Sequence, residues 1–182
     1  MAIEDDGVAF RQRSWAQFKK QASGWFVWET AYYFDFQASG QQTNVFSQAK
    51  TFGTFDRVDS VIGETGWNYT NGDGVLFYPG TDVLYPQDSY GMDGPIASLR
   101  LKHWRRGVQD YDYLTMAAQV DPAQVAQIVA NLIPKVLWEY GVNMISDPTW
   151  VRTDMGWNND PNVWEQTRKQ LADIIEQGGV GF

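Results

Sequence analysis

Carboxylates are the only abundant titratable groups in these 182 residues, which hold 22 Asp and Glu, a single His and no Cys. Thiolate chemistry, disulfide scaffolding and Cys- or His-rich metal sites are therefore excluded. The lone imidazole, His103, has no Ser nucleophile pattern near it and reads as a surface or packing residue. Beside the carboxylates stands an unusual supply of tryptophan, nine residues in all. Glu29 closes the apolar aromatic run Trp25-Phe26-Val27-Trp28. A charge on a buried strand is costly unless it is paired or wet. Arg100 opens a helical pattern, at the end where the helix dipole disfavours a cation. That placement calls for a carboxylate partner, and Glu29 is the candidate. Tyr78 ends a second apolar run, Val75-Leu76-Phe77-Tyr78, and reads either as a binding aromatic or as a core tyrosine with a bonded hydroxyl.

Arg106 and Asp110, four residues apart on one helix, suit an ordinary helical ion pair on a solvated face. Gly107 between them costs about 1 kcal/mol relative to Ala, which suggests close packing against a neighbour.

These residues need elements to hold them. Asp5-Asp6-Gly7 resembles a helix entry, and Val8, Arg11, Trp15, Phe18 and Ala22 recur at helical spacing, giving a helix over 6–22. Strands are expected over 24–30 and 75–78, each a short apolar run beside Gly or Pro. The polar stretch 34–74 shows no clear period, although further strands within it would help complete a sheet. Asn71-Gly72-Asp73-Gly74 is a turn signal. Ala97, Leu101, Trp104, Val108 and Tyr111 form the apolar stripe of a helix over 96–118. Asp121-Pro122 and Asp160-Pro161 are N-caps followed by Pro, opening helices over 122–140 and 161–177. Pro134 should kink the former. The order predicts an α/β chain, 1–182 as a single unit, with two or three short parallel strands and four long helices.

Composition limits partners as well. A net charge of −8 argues against nucleic acid and anionic membranes, both of which select basic surfaces. No apolar run approaches the roughly 20 residues that span a bilayer, and the acidic N-terminus has no signal-peptide pattern.

Three linked motifs carry a family resemblance. They are Asn-Gly-Asp-Gly-Val-Leu-Phe-Tyr-Pro-Gly (71–80), Gly-Pro-Ile-Ala-Ser-Leu-Arg-Leu-Lys (94–102) and Arg-Arg-Gly-Val-Gln-Asp-Tyr-Asp-Tyr-Leu (105–114). With Gly-Trp-Phe-Val-Trp-Glu-Thr-Ala-Tyr-Tyr (24–33), they resemble the C-terminal part of glycoside hydrolase family 123. The resemblance covers most of residues 3–118. It implies the end of a (β/α)8 TIM barrel, with 24–30 and 75–78 as its last strands. It implies hydrolysis of a β-linked N-acetyl-galactosamine, assisted by the substrate's own acetamido group and requiring no cofactor or metal. The family's catalytic pair is an adjacent Asp-Glu, which matches nothing here, so this stretch alone is expected to be inactive. The missing barrel strands would be its partner. The implied setting is secreted or periplasmic.

In such a barrel, chemistry sits at the C-terminal strand ends. Glu29 and Tyr78 would then face the mouth and contact sugar, with Arg100 close by. Trp28, of opposite parity to Glu29, would either pack under helices or form a sugar platform. Tyr32 and Tyr33 would wall the site or anchor their loop. The substrate-binding set is Glu29, Tyr78, Trp28, Tyr32 and Arg100, with an amino-sugar glycan as ligand. A non-catalytic carbohydrate-binding domain and a purely structural fragment are the alternatives.

Overall fold

The computed structural model describes residues 3, 6–35, 41–56, 66–136 and 156–179. The element order is α1 (Ala9–Lys20), β1 (Lys50–Asp56), β2 (Gly66–Asn71), β3 (Phe77–Pro79), β4 (Pro95–Ala97), α2 (Leu99–Val120), α3 (Pro122–Leu132) and α4 (Pro161–Gln177). The chain is thus mixed α and β, with the four expected helices. It divides into two compact units, Met1–Asp5 with Phe26–Lys102, and Asp6–Trp25 with His103–Phe182. No described helix is long and apolar enough to cross a membrane.

The second unit is helical. Asp6 opens α1, its carboxylate accepting from Val8 N at 2.9 Å. Gln21 closes the helix in the left-handed conformation. Asp121 and Asp160 cap α3 and α4 by accepting from Gln124 N and Asn162 N, each with Pro at the first helical turn. These caps satisfy amide groups that no helical carbonyl reaches. Helix α3 ends at Leu132 rather than continuing to 140 with a kink. Pro134 removes a donor and clashes with the preceding turn, so ending the helix is cheaper. Residues 137–140 lie outside the described residues.

Trp15, Leu114, Val125, Val129, Trp164, Leu171 and Ile174 build this unit's core, with Trp15 and Trp164 meeting edge to face at 5.6 Å. The buried face of α2 is Gly107, Asp110, Leu114 and Ala117 rather than the expected stripe, and Val108 is exposed. A charged residue therefore sits where the apolar periodicity left no place for one. Asp110 is fully buried and accepts from Arg11 Nε (2.5 Å), Arg11 Nη2 (3.2 Å), Trp15 Nε1 (3.0 Å) and Arg168 Nη1 (2.5 Å). The expected Arg106–Asp110 pair is replaced by Arg106 to Glu165 at 2.7 Å, and Glu165 also pairs with Arg11. Burial raises the Glu165 pKa, but hydrogen bonds and charge from Arg106 and Arg11 outweigh it, and the net shift is downward. Gly107 packs as expected. A Cβ there would lie 2.6 Å from the backbone oxygen of Arg11.

The first unit holds the strands. They pair antiparallel, β1 with β2 and β3 with β4, in two separate two-stranded sheets, so no parallel strands occur among the described residues. The expected strand at 75–78 is realised as Phe77–Pro79. The expected strand at 24–30 does not form. Just beyond it, Ala31 bridges antiparallel to Val75 and Phe34 to Gln42. An apolar run becomes a strand when a neighbour supplies a hydrogen-bonding ladder, and residues 24–30 have none. The hairpin β1–β2 does fall in the stretch 34–74. It is followed by the turn at Asn71-Gly72-Asp73-Gly74, where both glycines adopt positive φ. A side chain at Gly72 would also meet Ile3 and Arg100.

Candidate functional site

Within the first unit, residues 30–35 are held from both sides. Thr30 O accepts from Leu76 N and Phe77 N at 2.8 and 2.9 Å, and Tyr32 N donates to Gly74 O at 2.8 Å. On the other edge Thr43 N donates to Tyr33 O at 2.7 Å, and Asp35 N to Gln41 O at 2.9 Å. Tyr33 Oη donates to Phe77 O at 2.9 Å, which makes Tyr33 an anchor of this segment.

A row of aromatics runs along this stretch of chain, Tyr32 and Phe34 on the held backbone and Phe26 and Trp28 just ahead of it. Phe26 and Trp28 are 80% and 74% exposed, their ring centroids 6.4 Å apart and nearly perpendicular. Tyr32 and Phe34 stand 5.6 Å apart. Trp28 therefore does not pack under helices. Glu29, half-buried, sits in the same row, and its charge bears on Tyr32. Burial first, then the charges of Glu29 and Asp35, raise the Tyr32 phenol pKa. Tyr33 is raised likewise by burial and Asp82. The site at this segment is thus three exposed rings, one partly covered ring and a carboxylate. It can stack on apolar faces of a ligand and accept hydrogen bonds from hydroxyls. Nothing in it resembles a nucleophile with its base.

Arg100 lies elsewhere in function. Its Nη1 donates to Gly72 O at 2.6 Å and its Nη2 to Val75 O at 2.5 Å. It clamps the turn that leads into Val75, the residue bridged to Ala31. No ion pair joins it to Glu29 among the described residues. Two backbone carbonyls help to offset the dipole penalty on this N-terminal cation.

Tyr78 is also separate from the row. On β3, opposite Ile96, it lines a cleft in which its ring lies 6.1 Å from Phe46, itself 6.0 Å from Tyr90. The structure thus brings Trp28, Glu29 and Tyr32 onto one segment and puts Tyr78 with Phe46 and Tyr90. Phe46 and Tyr90 went unread in the sequence because each is a lone aromatic in a polar loop with no period to mark it. Among the described residues, no group of three or more His, Asp or Glu is placed to hold a metal ion. Comparison of the chain with protein-family models and with curated proteins finds no match.

Proposed function

We propose that the chain binds amino-sugar glycans through the aromatic row of its first unit. In this reading it is the sugar-binding wall of a glycoside hydrolase acting on β-linked N-acetyl-hexosamines. The catalytic Asp-Glu pair comes from outside these residues, which contain no such dipeptide. The observation that carries the reading is the exposure of Phe26 and Trp28 beside Glu29. Large adjacent rings left in water mark an interaction surface. A pyranose presents polarised C–H groups to the negative face of a ring and hydroxyls to a neighbouring carboxylate. A purely structural role for these aromatics calls instead for their burial.

Calorimetric titration with methyl β-N-acetyl-galactosaminide tests the reading. Trp28→Ala should remove the heat of binding that the aromatic row supplies while leaving the unfolding midpoint in place, because the side chain lies mostly in water. Equal binding by the wild type and Trp28→Ala would overturn it.

A further inference from the structure

We infer that the first unit carries a second saccharide subsite, a two-part cleft around residues 43–49 that takes a neutral β-linked disaccharide. The inference rests on the carbohydrate reading for the class of ligand, and on different residues for the site. Two cavities of about 410 Å³ each adjoin this loop, and Ser47 and Gln48 line both. Each volume falls within the roughly 300–1,000 Å³ of small-molecule sites.

The two halves differ in chemistry. One is walled by Phe46, Tyr78 and Tyr90, with Tyr90 73% exposed. The other is mainly polar, lined by Asp35, Gln41, Gln42, Asn44 and Lys50 beside Tyr85. One acid and one base of opposite sign favour a neutral ligand over a phosphate or a polycation. A disaccharide has the matching asymmetry, one ring laid on aromatics and the next hydrogen-bonded around its edge.

The lining is already held in place. Asn44 Nδ2 donates to Asp88 Oδ2 at 2.6 Å, and Asn44 Oδ1 accepts from Phe46 N at 3.1 Å. Gln42 Nε2 donates to Asp82 at 2.9 and 3.1 Å, and Thr43 Oγ1 to Gln48 O at 3.0 Å. Bonds of this kind hold a loop in its bound form and so lower the ordering cost of binding. The exposed Gln48 carboxamide, at the edge common to both halves, makes no side-chain hydrogen bond with the described residues. It offers one acceptor and two donors. An acetamido group, with one N–H and one C=O, is its complement.

The experiment is an NMR titration of the full chain with the methyl glycoside of a β-linked N-acetyl-galactosaminyl-galactose. Wild type, Tyr90→Ala, Gln48→Ala and Trp28→Ala are compared. Both cleft residues are exposed, so circular dichroism should show unchanged folding. Tyr90→Ala and Gln48→Ala should each weaken binding about tenfold, the loss of one stacking or hydrogen-bonding contact. Trp28→Ala should leave the cleft resonances shifting as before. Wild-type affinity in both cleft variants, or shifts confined to residues 26–34, would overturn the cleft and leave the aromatic row standing. Shifts in neither place would overturn both.

Discussion

Replacing Asp110 with Ala should damage this protein more than any change at its surface charges. Asp110 is wholly buried and receives four donor nitrogens from three side chains. Its removal leaves the Arg168 guanidinium, 14% exposed, without this carboxylate and leaves the Trp15 N–H without its acceptor. Arg11 keeps Glu165. Breaking a buried pair from one side costs about 3–5 kcal/mol, because an uncompensated charge stays behind. The orphaned indole N–H overlaps with that cost rather than adding to it in full. A loss of this size is a large fraction of typical domain stability and lowers the melting midpoint by about 6–20 °C. Glu165→Ala removes two ion pairs as well, but from a side chain 54% exposed, and should cost under about 1 kcal/mol. Asp110→Asn, which keeps shape and an acceptor for Trp15, should fall between them. Urea unfolding followed by circular dichroism at the helical band measures all three. A cost for Asp110→Ala equal to that of Glu165→Ala would refute the reasoning, since it would mean that burial does not set the worth of these charges.

Further perturbations test other parts of the structure. Gly107→Ala should destabilise the chain in thermal melts. The new methyl meets the Arg11 backbone oxygen at 2.6 Å, a clash costing about 1–3 kcal/mol that outweighs the gain of about 1 kcal/mol in helix propensity. A raised midpoint would contradict the packing. The folded-state pKa of Glu165 lies below its ordinary 4.5, so its pairing contributes stability above that pH and loses it as pH falls through the lowered value. Glu165→Gln should therefore flatten the stability profile below about pH 4.5, and an unchanged acid limb would count against the pairing. Glu29→Gln removes one of the charges that raise the Tyr32 phenol, so that phenol should titrate at lower pH when followed by ¹³Cζ NMR. An unmoved titration would separate the two side chains.

The helices were legible because their ends carry local chemistry. Asp121-Pro122 and Asp160-Pro161 announce caps that need nothing from the rest of the chain, and both helices start there. The strands were harder, because a strand is defined by its partner. Residues 24–30 have the composition of a buried strand, yet lie without a ladder and with Phe26 and Trp28 in water. Pairing direction was equally hidden. Helix, strand, loop and strand in order suit a parallel crossover, but β3 found its neighbour in β4, a short distance on and antiparallel. The same limit applied to charges. Arg100 called for a carboxylate, Glu29, and the turn at Gly72 and Val75 supplied backbone carbonyls that no residue-type pattern reveals. Asp110 looked solvated because its partners, Arg11 and Arg168, lie 99 and 58 residues away. Of the site, Trp28, Glu29 and Tyr32 were legible as one segment, whereas Phe26 and Phe34 went unread as parts of it and the cleft gathers Phe46, Tyr78 and Tyr90 from three separate stretches.

The most direct test of sugar binding by this chain is the Trp28 indole N–H resonance in an ¹⁵N-labelled sample. Methyl β-N-acetyl-galactosaminide should move that resonance in a saturable way, and the buried Trp15 and Trp164 indoles should stay still. A folded chain whose Trp28 resonance is unmoved at tens of millimolar sugar would contradict the account.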